Sequence, residues 1–164
     1  MAAVPAASIT GPVPVVAWPH DLVSLYRARY DDMVRLAFLL TGSPAEAEEI
    51  VQDAFVRVRH RISRVDNPSA YLRTAVVNGC RNRYRRLLVE RRHAPRPETA
   101  SYDRVDELGD ALAALPPRQR AVIVLRYYAG MSEAEIAAAL GCRPGTVKSL
   151  CHRGLAALRL VIQP

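Results

Sequence analysis

Four polar side chains near the C-terminal end recur at a spacing that brings them together on a helix. At about 100° per residue, these four side chains fall on one arc of the helix, which also contains the small Ala156. They are Lys148, Ser149, His152 and Arg153. The opposite arc is apolar or small and consists of Leu150, Cys151, Gly154 and Leu158. Ammonium, guanidinium, imidazole and hydroxyl groups on a helix of this width suit the DNA major groove. The spacing predicts a DNA-reading helix, whose Lys148 and Arg153 bond either base edges or phosphates.

The residues before this helix are typical of a helix-turn-helix. Ser132 and Glu135 form a capping box, which predicts a helix start. Gly141 occupies the sharp turn that follows, where a positive φ is often required. Residues suited to two crossing helices complete the pattern: Ile136, Ala137, Leu140, Cys142, Val147 and Leu150. We interpret 133–152 as a DNA-binding helix-turn-helix. The alternative is an ordinary helical hairpin.

The basic charge is concentrated in one part of the chain. The 164 residues contain 23 basic and 16 acidic side chains, a net charge of +7, and all the basic residues except Lys148 are arginine. Residues 1–53 carry a net −4, 54–96 a net +10 and 97–164 a net +1. Because the basic block contains only Asp66 and Glu90 as acids, internal pairing cannot neutralise it. The block predicts a polyanionic partner, with a solvated helix face as the alternative.

No catalytic constellation accompanies these features. The basic block has no carboxylate cluster at metal-ligand spacing, and no nucleophile–base pair or phosphate-binding glycine loop is evident. Cys142, Cys151 and His152 are three conceivable zinc ligands, but a structural zinc site normally uses four, and Cys142 is needed in the helix-turn-helix core. We therefore expect a protein that is not an enzyme, with no catalytic residue, no metal and no cofactor.

The cysteines and the N-terminal segment bear on cellular location. Three cysteines are too few, and odd in number, for a disulfide framework, which favours a reducing compartment. Residues 1–19 are free of charge, but prolines interrupt them and no basic start precedes an unbroken apolar run. We expect a cytoplasmic protein without a membrane anchor.

Helical periodicity recurs throughout and strand alternation does not, so the predicted fold class is all-α. Helices are expected over 21–40, about 45–62, 69–86, 105–115, 118–128 and through the helix-turn-helix. Two prolines and no apolar period mark 93–104 as a linker. The predicted organisation is a disordered extension (1–20), a first helical domain (21–92), a flexible linker (93–104) and a second helical domain (105–162).

At this point the sequence resembles a known family, the bacterial sigma factors of the extracytoplasmic-function (ECF) type, which have only sigma-70 regions 2 and 4. YRARYDDMVRLAFLLTG (26–42), AEAEEIVQDAFVRV (45–58) and NPSAYLRTAVVNGCRNRYRR (67–86) resemble region 2. The stretch from 115 to 159 resembles region 4. The blocks occur in the family's order, and GxxAEAEE followed by QDAF is most similar to actinobacterial members.

The resemblance implies a function and assigns residues to it. Such a factor binds core RNA polymerase, directs it to promoters and helps open the DNA. Core-polymerase contacts would come from Glu49, Gln52 and Asp53. The −10 element would be bound by Tyr71, Asn78, Arg81, Arg85 and Arg86, with Asn78 at the flipped base and a core role equally open for Tyr71. The −35 element would be bound by Arg143, Thr146, Lys148, Ser149, His152 and Arg153.

The resemblance also implies partners and leaves one rival. Expected partners are core polymerase, promoter DNA and, as often in the family, an anti-sigma factor, with a monomer outside the holoenzyme. Departures from the family's pattern are Arg59 and Ile62 in place of tryptophans, Leu150 in place of a basic residue, and Lys148 in place of arginine. The rival function is a stand-alone helix-turn-helix transcriptional regulator, which would bind duplex DNA without polymerase.

Overall fold

The computed structural model describes residues 20–90 and 107–162, and within these ranges helices are joined by short turns. The helices are α1 (His20–Thr41), α2 (Pro44–Arg59), α3 (Pro68–Glu90), α4 (Glu107–Ala114), α5 (Pro117–Ile123), α6 (Glu133–Leu140) and α7 (Pro144–Ile162). A 3₁₀ turn follows α2 (Ile62–Arg64), and a π-helical turn continues α5 (Val124–Tyr128). The all-α prediction is confirmed. No helix in the described ranges is long and apolar enough to cross a membrane.

The first unit consists of α1, α2 and α3 packed around a shared apolar core. The Ser43 hydroxyl accepts the Glu46 N–H at 3.4 Å, and Pro44 occupies the first turn, so α2 begins as capping rules predict. The core side chains include Leu22, Met33, Leu36, Val51, Phe55, Val58, Leu72 and Val76. Burying a large apolar side chain contributes roughly 1.5–3 kcal/mol, so these contacts hold the three helices together.

One expectation about this unit was wrong in detail. The second helix ends at Arg59 and not near 62, because the backbone changes to i→i+3 bonds, from the Arg61 N–H to the Val58 carbonyl and from Arg64 to Arg61. Tyr26, which lies on the same side of α1 as the buried Leu22 and Met33, is 40% exposed. Its ring stacks on Tyr30, with centroids 4.6 Å apart, so it covers the edge of the core.

The second unit consists of α4 to α7. Pro116 and Pro117 separate α4 from α5, since proline ends one helix and opens the next. The core side chains of this unit include Leu112, Val122, Leu125, Ile136, Val147 and Leu158. The extension predicted for 1–20, apart from the helical His20, and the linker predicted for 93–104 lie outside the described residues.

The two units touch each other directly. Helix α3 lies against α6, and α1 lies against α4, α5 and the π-helical turn. The Tyr128 hydroxyl is 3.5 Å from the Asp32 carbonyl oxygen, and buried apolar residues of both units belong to one cluster. The sequence predicted two joined domains but no contact between them.

Candidate nucleic-acid interface

The predicted capping box starts α6. The Ser132 N–H donates to Oε2 of Glu135 at 2.7 Å, and the Ser132 hydroxyl accepts the Glu135 N–H at 3.3 Å. Because the carboxylate accepts this backbone hydrogen bond, the pKa of Glu135 is lowered. The reciprocal pair fixes the first turn of the helix-turn-helix.

The predicted turn glycine ends α6. Gly141 has φ 63° and ψ 45°, a left-handed conformation that a glycine adopts without a Cβ penalty. The Gly141 N–H lies 3.3 Å from the Ala138 carbonyl, and the Cys142 N–H donates to Ala137 at 3.0 Å. These bonds satisfy carbonyls at the end of α6 and redirect the chain into α7.

Helix α7 separates its polar and apolar faces as expected. The side chains of Lys148, Ser149, His152 and Arg153 are exposed. Val147, Leu150, Gly154 and Leu158 of the same helix are buried, with Val147 and Leu150 in the core between α6 and α7. Arg143 is exposed just before the helix, and its carbonyl accepts the N–H of the half-buried Thr146 at 2.9 Å. Five of the six residues assigned to the −35 element therefore lie in the N-terminal half of α7 and Arg143 directly precedes it, and their role stays a prediction.

Neighbouring groups constrain this donor cluster. Nζ of Lys148 lies 3.7 Å from Oε2 of Glu133, and Lys148 is 70% exposed, so the ion pair is weak and exchangeable. The Ser149 hydroxyl donates to the Thr146 carbonyl at 3.0 Å, and Nε of Arg153 donates to the Ser149 carbonyl at 3.3 Å. Ser149 and Nε of Arg153 are held by the helix itself, whereas Lys148 can move to an anion.

A shallow hollow of about 280 Å³ lies beside these donors and includes residues that the sequence did not indicate. Arg126 and Tyr127 of the π-helical turn and Glu133 of α6 line it together with Lys148 and His152. Tyr127 is 62% exposed, and its hydroxyl lies 4.0 Å from Sγ of Cys151. The exposed Arg126-Tyr127 pair following a buried run was the available signal for this part of the surface.

The residues assigned to the −10 element do not share one environment on α3. Arg85 and Arg86 are exposed, whereas Asn78 and Arg81 are half-buried. Tyr71 is half-buried and packs against the core, in agreement with the core role left open for it. At a spacing of seven residues, Tyr71, Asn78 and Arg85 form one stripe along the helix.

The residues assigned to core polymerase lie on α2. Glu49, Gln52 and Asp53 are exposed, on the side away from the buried Val51, Ala54 and Phe55. Glu46 of the same helix instead pairs with Arg83, whose Nη2 is 2.6 Å from Oε1, and so ties α2 to the basic helix α3. The first unit therefore has an acidic helix beside a basic one.

The described ranges contain no cluster of metal-ligating side chains. No three side chains among His, Cys, Asp and Glu come together there as a metal site, so Cys142, Cys151 and His152 do not form one. The three cysteines are free thiols, and Cys80 is buried.

Comparison with family models matches both units. Residues 25–88 match the model described as Sigma-70 region 2, and residues 106–158 match that described as Sigma-70, region 4. The first match covers α1 to α3, and the second contains the helix-turn-helix.

Individual relatives agree with this. The RNA polymerase sigma-E factor of Streptomyces coelicolor is 38% identical over 143 residues, which cover 81% of each chain. The ECF RNA polymerase sigma factor SigL of Mycobacterium tuberculosis is 34% identical over 159 residues, 85% of this chain and 90% of SigL.

Solved structures show the same fold. The sigma factor RpoE of Bartonella quintana, solved in complex with the anti-sigma factor NepR, aligns with a TM-score of 0.65 at 24% identity over 87% of this chain and 94% of that one. The extracytoplasmic function sigma factor SigJ of M. tuberculosis aligns with a TM-score of 0.58 at 28% identity, over 84% of this chain and 53% of SigJ. With both family models matched in order by its two helical units, the chain belongs to the sigma-70 family, as an ECF RNA polymerase sigma factor.

Proposed function

We propose that this chain directs core RNA polymerase to a set of promoters and assists the opening of their DNA. The observation that carries the proposal is the division of α7 into a buried face and an exposed donor face, following a capped helix and a left-handed glycine turn. The other proposed surfaces, on α2 and α3, extend the same function to polymerase and to melted DNA.

The second unit would bind the −35 element as a duplex. The N-terminal end of α7 is the positive end of the helix dipole, which favours phosphate, and Arg143 is exposed beside it. Lys148 lies about one turn into α7 and Arg153 more than a turn beyond it, and both would contact base edges. The exposed ion pair of Lys148 with Glu133 can be exchanged for a contact with DNA.

The first unit would act on the −10 element after strand separation. Separated bases need stacking or hydrogen-bonding partners, and separated phosphates need cations. Asn78 supplies an amide at the middle of α3, and Arg85 and Arg86 supply exposed guanidinium groups beyond it. Protein–base contacts of this kind offset the free energy of unstacking.

Helix α2 would bind the polymerase. Its exposed Glu49, Gln52 and Asp53 form an acidic patch within a chain of net charge +7. A negative patch on a basic protein favours a basic protein surface and disfavours DNA, so α2 and α3 are directed to different partners. Bond formation is left to the polymerase, and this chain contributes recognition.

An anti-sigma factor is a further proposed partner. An apolar groove of about 330 Å³ lies between the two units and is lined by Leu39 of α1, Leu112 of α4 and Leu158 of α7. A regulator bound across this groove would contact both units at once. Co-expression with candidate inhibitors from the same genome, followed by co-purification, tests this proposal.

Transcription in vitro tests the main proposal. Purified core polymerase is combined with this chain and a pool of genomic promoter fragments, and specific transcripts are sequenced. Transcripts that require both components support a sigma factor. Specific duplex binding by the chain alone, without any effect on core polymerase, would instead support the stand-alone regulator.

A further inference from the structure

The sequence contains a single lysine, and it lies on the exposed face of α7. Of the 23 lysine and arginine residues, only Lys148 is a lysine, so it carries the only side-chain amino group. Lys148 is 70% exposed, and its 3.7 Å ion pair with Glu133 is weak enough to exchange. A neutral amine is a nucleophile, whereas an arginine guanidinium stays protonated in proteins. A reagent that acylates side-chain amines therefore has one target in this sequence.

A cysteine thiol lies beside this amine. Cys151 follows Lys148 by three residues on α7, a spacing at which helical side chains are neighbours, and both line the hollow of about 280 Å³. Cys151 is a free, half-buried thiol. Of the other two cysteines, Cys80 is buried, and the half-buried Cys142 lies before α7 and outside the hollow. The structure therefore brings one sulfur nucleophile and the single amine to the same surface.

The other side chains around the hollow suit a short acyl group on an anionic carrier. Val122 and Val147 are fully buried and give it an apolar side. The Tyr127 hydroxyl lies 4.0 Å from Sγ of Cys151. This hydrogen bond raises the pKa of Tyr127, so the hydroxyl is protonated at neutral pH and can donate to the sulfur. The exposed Arg126 adds a cation that attracts an anion to the hollow.

We propose that this hollow is an acylation site, in which Cys151 takes an acetyl group from an acyl thioester and transfers it to Nζ of Lys148. In the first step Sγ attacks the carbonyl carbon, the bond from that carbon to the carrier sulfur breaks, and the carrier leaves as a thiol with the proton of Cys151. In the second step the neutral Lys148 amine attacks the same carbon, the C–S bond to Cys151 breaks, and an amine proton passes to Sγ. The products are acetyl-lysine, the regenerated Cys151 thiol and the carrier thiol, with one proton of the original ammonium released to solvent.

Acetylation would act on one of the proposed DNA surfaces. Acetyl-lysine has no charge and cannot pair with an anion, so the modified α7 loses a cation from its exposed face. The arginines of α3 carry no amine and stay unchanged. This consequence rests on the proposed function, because it requires that Lys148 contacts the −35 element. The acetylation of Lys148 does not depend on it.

Serine variants of two cysteines test the transfer. The full chain is incubated with acetyl-coenzyme A at about pH 8, where free thiols are partly ionised, and peptide mass spectrometry follows acetylation at Lys148. Cys151→Ser removes the thiol, and Cys142→Ser makes the same change at the other half-buried cysteine. We expect Lys148 to be acetylated at least about tenfold more slowly in Cys151→Ser than in Cys142→Ser, because a neighbouring thiol makes the step intramolecular. Equal rates in the two variants overturn the proposal.

A third variant traps the intermediate. Lys148→Arg keeps the charge but has no amine to accept the acetyl group, so an acetyl thioester should accumulate on Cys151. Neutral hydroxylamine cleaves a thioester and leaves an amide intact, and mass spectrometry before and after this treatment measures the trapped group. If Lys148→Arg carries no hydroxylamine-sensitive acetyl group at Cys151, the proposal is overturned.

Transcription with core polymerase measures the consequence. Acetylated and mock-treated chains are both treated with hydroxylamine and compared on a promoter that the unmodified chain transcribes. We expect about tenfold less transcript from the acetylated wild type, as for the loss of one specific DNA contact, and no effect of the treatment on Lys148→Arg. Unchanged transcription by a chain that is acetylated at Lys148 overturns the proposed effect on DNA binding. Failure of the proposed function appears separately, as a mock-treated wild type that does not support transcription, and the acetylation rates still test the site.

Discussion

Gly154 of α7 and Ile123 of α5 are in direct contact at the point where the two helices cross. A Cβ on Gly154 would lie 2.6 Å from Cδ1 of Ile123 and 3.3 Å from Cβ of Gln119. The 2.6 Å distance is shorter than carbon–carbon contact allows. The crossing of α5 and α7 therefore requires a residue without a side chain at position 154. The position of α7 is therefore set from its buried side.

Substitution at this crossing is expected to destabilise the second unit. Gly154→Ala forces Ile123 to move, and overpacking of this kind costs about 1–3 kcal/mol, more than the helix-propensity gain of about 1 kcal/mol. Gly145→Ala is the control on the same helix, since a Cβ there meets nothing within 4 Å. Urea denaturation should show a lower midpoint for Gly154→Ala and an unchanged or higher one for Gly145→Ala. The same loss in both variants would contradict the packing account.

Lys148→Ala and Arg153→Ala are expected to change −35 preference. Loss of a base contact costs about 1–3 kcal/mol at the affected base pair and relaxes discrimination there. Arg159→Ala is the charge-matched control, because Arg159 is exposed on α7 three turns beyond Lys148. Transcription from a library of randomised −35 elements measures the effect. Unchanged preference in both variants would remove these residues from the readout.

Asn78→Ala is expected to impair promoter opening and to spare duplex capture. The amide is proposed to contact a base that is available only after unpairing, so the loss appears in the melted complex. Asn82→Ala, one turn later and exposed, tests whether the amide must be at position 78. Permanganate reactivity of unpaired thymines reports opening, and a mobility shift of holoenzyme reports capture. Normal reactivity for Asn78→Ala would contradict the assignment.

Asp53→Asn combined with Glu49→Gln is expected to weaken association with core polymerase. Both side chains are exposed, so the substitutions remove charge without disturbing the core. Asp110→Asn on α4 removes an exposed acid from the other unit and is the control. Co-purification at increasing salt measures the loss, which should be largest at low ionic strength, where charge attraction is screened least. If core polymerase retains the double variant as well as it retains Asp110→Asn, α2 is excluded as the charged contact.

Cys80 is expected to make stability depend on pH in alkaline solution. Burial raises the pKa of its thiol to about 12, against about 8.5 in an unfolded chain. The folded state holds the neutral thiol, so its contribution is complete below about pH 8.5 and falls by about 1.4 kcal/mol per unit as pH rises toward 12. Urea unfolding from pH 8 to 10 measures this slope, and Cys80→Ala should have a flatter one. A thiol reagent at neutral pH should label the half-buried Cys142 and Cys151 before Cys80.

Features that depend on neighbours in sequence were predictable. The capping box of α6, the turn at Gly141 and the two faces of α7 follow from residues within a few positions of one another, and the structure has all three. Tyr26 shows the limit of periodicity, since a residue at the margin of an apolar stripe can stack on Tyr30 and remain exposed.

Contacts between distant helices were not predictable. The acceptors for Arg73 and Arg81 are backbone carbonyls of two alanines, and a carbonyl acceptor leaves no residue-type signal in the sequence. The pairing of Lys148 with Glu133 depends on the angle between α6 and α7. That angle cannot be predicted from the number of residues between the two side chains.

The π-helical turn at Val124–Tyr128 has a consequence for insertions and deletions. Its bond from the Ala129 N–H to the Val124 carbonyl, at 3.0 Å, encloses one residue more than an α-helical turn. Removing a single residue there would restore regular winding and rotate what precedes it by about 100°. If α6 kept its place, the Tyr128 hydroxyl could then not reach the Asp32 carbonyl. The length of this turn therefore couples the orientation of α5 to the packing of α1 against the second unit. We expect natural variation in chain length to fall elsewhere.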